Sequence, residues 1–489
     1  MRNNIKDYLL LTIIVLIIPF YSCNKVDLTP ISSLTEANFF KTSSDLNLAT
    51  LGVYNRYQSI LPRNWTLFEM STDNIYRSQY ITIGGLEQMD LVNYQSSNDI
   101  FKNFWNSSFN GIFRANSVLN YLDVPNDYVG TLKNQLEGEV KFMRALFYFD
   151  LVRAFGGVPK VTKLLSVEEA RETPRSSQKE IYDLIKEDLL SAIDKLPPYA
   201  NTAKGRASRE AAIALLGKVY IYTEEWELAD KTLSRVIGTR FDLIDHYADL
   251  WTEESEDNKE IIFALKFVAN QNAQRLSLDF LPYQGVEGFS GSGGGELALP
   301  AWSAIKIFLD EDKRKDATFT RYWKEPGSNQ PLVWRPFISK FISQAAQSSG
   351  LDIPVLRYAD ILLLKSEACY RMNKVDSSLF FLNKVRTRGF ESESHNYTLS
   401  DISGNEAFLD KLLMERNLEL AYECQRRPDL IRTGRYVNVM SDVEWNYNPQ
   451  TSSSQHVHID VKPYQLLYPI PQFEIELSGG GVLEQNPGY

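Results

Sequence analysis

The sequence predicts a mostly α-helical protein: a scaffold of paired helices backing a loop-rich half that holds a few short strands. Three observations carry this reading. Long segments repeat apolar residues at helical spacing, most clearly between Leu132 and Phe155. That spacing fails mainly over residues 63–99 and 239–350, where Trp, Tyr, Asn, Asp and Gly accumulate. No Pro/Ser-rich linker separates the two kinds of segment, so residues 23–489 are read as a single domain.

Residues 1–22 stand apart from that domain. Arg2 and Lys6 precede an apolar run from Leu9 to Phe20. The run is short for a bilayer span and has the length of a signal-peptide core. Ser22-Cys23 follows directly. A small residue before a Cys at this place resembles a bacterial lipoprotein signal, which implies cleavage before Cys23 and a lipid on its sulfur. No long apolar span follows, so membrane attachment is expected through that lipid.

The scaffold is expected mainly over 35–60, 100–238 and 355–435. Ser33 or Thr35 can cap a helix that begins near Glu36, carries Phe39, Phe40, Leu46, Val53 and Tyr57, and ends at Pro62. Helical spacing returns at Ile100 and runs through Phe104, Trp105, Ile112 and Leu119. In the next helix Leu136, Val140, Met143, Phe147 and Leu151 form one apolar row, and Phe142, Leu146, Phe149 and Val152 a second. A helix apolar on nearly all sides is a central one. Gly156, Gly157 and Pro159 close it. Arg144, Asp150 and Arg153 are read as structural, the last two placed to pair at i,i+3. Ser176 can cap a helix through Ile181, Ile185 and Leu189, closed by Pro197-Pro198.

Ala211 to Tyr220, a short turn, then Trp226 to Leu233 resemble a tetratricopeptide hairpin, and Ile361 to Tyr370 with Ser377 to Leu382 repeat the layout. Between them Ile261 to Phe267 reads as a strand, Leu281 to Gly295 as loop, and Trp302 to Leu309 as a short helix. The charged stretch Asp310 to Asp316 is expected to be a solvated helix end. Phe408 to Tyr422 predicts a further helix.

Several function classes lose support at once. A formal net charge of −10 argues against nucleic acid as partner. Gly291 to Gly295 lacks the Lys-Ser/Thr of a phosphate loop, and Ser290 is not in a Gly-x-Ser-x-Gly frame, so no cofactor and no catalytic residue is assigned. Cys369 and Cys424 sit in apolar helical stretches and are read as core. His456 and His458 could hold a metal, but with no third ligand nearby they are read as exposed histidines, and no metal site is assigned.

A binding role has positive support. The chain is rich in aromatics, with 26 Tyr, 26 Phe and 8 Trp. Sugars offer flat C–H faces to aromatic rings and hydroxyls to Asp, Asn and Arg. Both non-helical regions supply these types together. We therefore expect a ligand site built from Trp65, Asp73, Asn74, Tyr76, Arg77 and Tyr80 of the first region and Tyr283, Phe289 and Trp334 of the second. A glycoside hydrolase with paired carboxylates and a helical adaptor with no ligand of its own are the competing readings.

Several stretches together resemble the SusD/RagB family of outer-membrane nutrient-binding lipoproteins. They are Cys23 to Pro30, Leu34 to Tyr54, Arg144 to Pro159, Asp352 to Ala368 and Arg416 to Arg435. The tail adds Pro469-Ile470-Pro471 and Gln485-Asn486-Pro487-Gly488-Tyr489. The segment Cys424 to Pro428 departs from the family's usual Gly and aromatic, and Ser478 lies where Asn is usual. The resemblance implies four tetratricopeptide-like hairpins backing a variable loop-rich half. It also implies capture of nutrient, usually an oligosaccharide or polysaccharide, on the outer face of the outer membrane, with a SusC-type TonB-dependent barrel as partner. Binding positions vary within such a family, so none is carried over.

Overall fold

Helical spacing becomes helix throughout the scaffold, and local capping sets the ends. The structure, a computed structural model, describes residues 39–80, 83–289, 293–343 and 346–489. The signal segment and Cys23 lie outside the described residues.

Helix α1 spans Ser43–Ile60. Its cap is Thr42, whose hydroxyl accepts from the Asp45 N–H while the Asp45 carboxylate accepts from the Thr42 N–H. This reciprocal box satisfies two otherwise orphaned donors, so the helix starts here and not near Glu36. Phe39 and Phe40 precede it, and the Phe40 ring stacks on Tyr121 at 4.5 Å. Helix α2 is Asp99–Tyr121 and α3 is Leu132–Phe155, the latter buried over most of its length. The two approach so closely at Gly111 that a Cβ there would lie 2.1 Å from Cζ of Phe147. Gly156 ends α3 with φ at +74°, a region few side chains tolerate.

Helix α4, Gln178–Lys195, is capped by Ser177 with Glu180. Ser176, the cap expected from the sequence, donates its N–H to Val158 instead. Helices α5 (Arg209–Tyr222), α6 (Trp226–Leu233), α7 (Tyr358–Arg371) and α8 (Val375–Phe390) follow the two predicted hairpins, and α9 (Asn405–Leu420) and α10 (Arg426–Arg432) close the scaffold. Consecutive helices pair, α1 with α2, α3 with α4, α5 with α6 and α7 with α8, and each pair packs on the next. This is the stacking of a helical repeat. Among the described residues no helix is long and apolar enough to cross a membrane.

Charged residues are also buried here. Arg144 of α3 donates to both oxygens of Asp188 on α4, at 2.8 and 2.7 Å. Arg314 is fully buried against Asp312, Glu415 and Glu419. The stretch Asp310 to Asp316 is therefore no simple solvated end. Its middle plugs against α9, where Glu415 and Glu419 of that helix, with Asp312 of the stretch itself, compensate the guanidinium.

The excursion between the hairpins begins and ends on one ladder. Strand β2 (Ile261–Leu265) runs antiparallel to β6 (Ile353–Arg357), and Lys266 pairs with Asp352 where the chain leaves and returns. Inside the excursion β4 (Phe319–Trp323) pairs with β5 (Val333–Ile338) over a small core of Leu281, Val286, Trp323, Phe337 and Ile342. Strand β1 (Ile75–Arg77) pairs with β3 (Ala298–Pro300), so the two non-helical regions meet. Strands β7 (Val443–Asn448) and β8 (Ser453–Val457) form a late hairpin.

Residues 63–99 differ from the expected loop. Short helices form at Trp65–Phe68 and Leu86–Asp90, and Trp65, Phe68, Met70 and Met89 are core. Burial of those side chains takes the backbone out of water, and helical turns satisfy its hydrogen bonds. Cys369 is buried and Cys424 half-buried, both free.

Candidate functional site

The pairing of β1 with β3 carries Tyr76 and Arg77 to the excursion, and β7–β8 closes over them from the C-terminal side. Together they enclose a cleft of about 880 Å³. From β1 and its continuation come Tyr76, Arg77, Gln79 and Tyr80; from β4–β5, Tyr322, Trp334 and Arg335; and from β7–β8, Asn446, Tyr447, Asn448, Gln450 and Gln455.

The aromatic rings support one another. Tyr447 stacks on Trp302 with centroids 3.8 Å apart, and Tyr76 stacks on Trp445 at 5.6 Å. Trp334 sits edge-to-face with Tyr322 at 5.1 Å and with Tyr447 at 5.6 Å. Residues 445 and 447 share one face of β7 because side chains alternate along a strand. Their stacks fix the hairpin to the body, while Asn446 and Asn448 stay exposed. Tyr80 and Tyr322 are about half exposed, at 53% and 50%. Rings held at their edges and open on a face can receive an apolar surface without rearranging.

The polar groups fall into two kinds. Arg335 is engaged: its Nη2 donates to both oxygens of Glu296 at 2.7 and 2.9 Å and its Nη1 to Gln284 at 3.0 Å. Its guanidinium also lies 5.2 Å from the Tyr80 ring centroid. Burial, then the carboxylates of Glu296 and Asp90, push the Tyr76 hydroxyl up to about 12, which keeps it neutral at physiological pH. The exposed amides of Asn446, Gln450 and Gln455 offer donors and acceptors to hydroxyl groups, and Asn448, whose side-chain oxygen accepts the Gln450 N–H at 2.9 Å, adds its amide N–H groups.

The residues expected from sequence divide accordingly. Tyr76, Arg77, Tyr80 and Trp334 line the cleft. Trp65 is core: it is 1% exposed, packs on Phe280 and donates its indole N–H to Asp279 at 3.3 Å. Asp73 is held by Arg426 through two bonds of 2.8 and 2.7 Å. Asn74 is fully buried, its side-chain amide donating to Glu69 at 3.0 Å and its backbone carbonyl accepting from Ala301 N–H. These three hold the scaffold, because burial closes them to a ligand from outside. Phe289 is half-buried against Phe337, and Tyr283, though 57% exposed, is not in the cleft lining.

Sequence reasoning missed Tyr322 and all of β7–β8. The signal was present: Val443, Trp445 and Tyr447 alternate with Glu444, Asn446 and Asn448, and Asn448-Pro449 follows as a turn. His456, read as exposed, is exposed and bonds Asp442 at 2.7 Å; no metal-holding group occurs among the described residues.

Comparison with known proteins decides the lineage. Residues 26–221 match the model described as starch-binding, associating with outer membrane, and residues 328–489 match that of the SusD family. The chain belongs to the SusD family. A SusD-like protein of Formosa agariphila is 24% identical, with 95% of each chain covered. The starch-binding protein SusD of Bacteroides thetaiotaomicron is 22% identical, with 72% of each covered. Among solved structures, a SusD-like protein of Bacteroides fragilis superimposes with a TM-score of 0.79 at 23% identity, covering 93% of this chain and 99% of that one. A laminarin-binding SusD-like protein gives 0.76 at 23% identity, over 92% and 100%. These SusD-family folds agree with the paired-helix scaffold described above.

Proposed function

We propose that this SusD-family protein captures oligosaccharide or polysaccharide in the cleft between β1, β4–β5 and β7–β8, and delivers it to a TonB-dependent outer-membrane barrel of the SusC type. The cleft carries the reading: half-exposed rings at Tyr80 and Tyr322 and the partly buried rings of Trp334 and Tyr447 stand beside exposed amides, the pairing that sugar rings and hydroxyls require. The laminarin-binding and starch-binding relatives support the same ligand class. Binding without hydrolysis is the favoured chemistry. Among the described residues lining the cleft the carboxylate is Glu296, neutralised by Arg335, and glycoside hydrolysis in its usual form needs two carboxylates flanking the scissile bond.

Calorimetry and affinity electrophoresis against a polysaccharide panel test this. Binding without release of reducing ends is expected. Each ring contributes about 1 kcal/mol, so the Trp334→Ala, Tyr322→Ala pair weakens binding roughly 30-fold. Unchanged affinity in that pair, with the fold intact, places the ligand elsewhere. We place the protein on the outer face of the outer membrane through a lipid on Cys23. Cys23→Ala should move it from the membrane to the soluble fraction, and the wild-type chain should co-purify with a β-barrel partner from detergent-solubilised membrane.

A further inference from the structure

Arg77 and Arg335 both line the cleft but differ in what they have left to give. Arg335 spends its fork on Glu296 and Gln284. The Arg77 guanidinium makes no hydrogen bond among the described residues. Its nearest ion-pair partner is Glu87, 4.0 Å away on a side chain that is 66% exposed. The other acid at this place is Asp90, which is buried. Burial pushes the Asp90 carboxyl up to about 7, so near neutrality it carries a partial charge and compensates the guanidinium incompletely. The Arg77 side chain is 29% exposed, enough to keep its donors reachable and too little for water to screen them fully.

Among the described residues the charges lining the cleft are Arg77, Arg335 and Glu296, a positive balance in a chain of net charge −10. An unspent planar fork beside stacking rings is the geometry that receives a planar carboxylate through two parallel bonds. The acidic surface elsewhere repels a densely charged polyanion. Both facts fit isolated acidic sugars within a neutral chain.

We propose that the cleft selects glycans bearing sparse uronic acids, and that Arg77 binds the uronate carboxylate. This rests on the glycan reading of the same cleft.

The test uses the full mature protein and a panel of uronate-branched polysaccharides, glucuronoxylan fragments and gum arabic among them. Each is paired with its carboxyl-reduced counterpart, and neutral glucans, mannans and xylans complete the set. We expect at least one uronate-bearing member to bind, and reduction of its carboxyl to weaken it roughly 10- to 100-fold. Arg77→Gln should weaken the intact ligand by the same factor and the reduced form by no more than about 2-fold. Arg77→Lys, which keeps the charge and loses the fork, should fall between. Rising sodium chloride should weaken the intact ligand more than the reduced one. Tight binding of neutral members that ignores Arg77→Gln but is lost in Trp334→Ala overturns the uronate proposal and leaves glycan capture standing. Absence of any bound member, or binding indifferent to both substitutions, overturns both. If Arg77→Gln fails to fold, the carboxyl-reduced comparison on the wild-type protein decides alone.

Discussion

Trp65 and Trp334 are one residue type in opposite situations. Trp65 fills the interior beside Phe280 and spends its indole N–H on Asp279, whereas Trp334 lines the cleft among rings that brace its edges. Trp65→Ala should therefore cost about 3–5 kcal/mol of stability, read as a lower melting temperature, while the folded fraction binds ligand as wild type does. A loss of affinity in Trp65→Ala at a temperature where it is fully folded would mean that the interior reading is wrong. Arg314 poses the same question for a charge. Arg314→Met leaves Asp312, Glu415 and Glu419 without their shared guanidinium, and removing one partner of a buried ion cluster costs about 3–5 kcal/mol. Denaturant midpoints of the variant and wild type measure this, and a midpoint within error would show that water reaches the cluster.

At the scale of elements, α3 and the β7–β8 hairpin depend on different forces. α3 is held by burial on nearly every side, and Leu146 is 2% exposed. Leu146→Asp should destabilise by several kcal/mol, of order 3 or more, because the carboxylate would have no partner. The hairpin has few buried residues and is fixed by the Tyr447–Trp302 and Trp445–Tyr76 stacks. An aromatic pair is worth about 1 kcal/mol, so Tyr447→Ala should raise amide exchange across 443–457 by roughly fivefold while the global melting temperature holds. Exchange unchanged in that segment would show that the stacks are incidental to its order.

At the scale of the molecule, stability should peak in mildly acidic solution. Burial pushes Glu69 up to about 7, Asp90 up to about 7 and Asp279 up to about 6. The folded chain holds these protons longer than the unfolded one, so stability falls as pH rises from the ordinary carboxylate range through about 7. Glu419 and Asp360 act oppositely. Burial raises them, but Arg388, Arg357 and Arg314 around the first, and Lys218 and Arg416 around the second, hold both well below the usual range. Their contribution is full above the unfolded carboxylate pKa of about 4 and is lost as pH falls further. The melting temperature at pH 5.5 should exceed those at pH 8 and pH 3. Glu69→Gln should flatten the limb between pH 5.5 and 8, and a limb unaltered by that change would remove Glu69 from the account.

Periodicity alone located α3, α5 and α6, α7 and α8, and the strand at Ile261, because a helix or strand advertises its buried face at fixed intervals. The composition of residues 63–94 and 281–334 marked where that regularity stops, and β1–β3 does join the two. Which member of a polar-aromatic stretch faces a ligand was not legible. Trp65, Asp73 and Asn74 carry the same letters as a site residue, and only the packing of Phe280, Arg426 and Glu69 around them makes them scaffold. The start of α1 is set by the reciprocal bonds of Thr42 and Asp45, a pairing not singled out from the neighbouring Ser and Thr residues in the sequence. The third wall of the cleft comes from β7–β8, more than a hundred residues from the nearest of the others. Local sequence preference acts over a few neighbours, whereas a cleft is set by which distant surfaces the core brings together. The scaffold could therefore be read along the chain, and the site only across it.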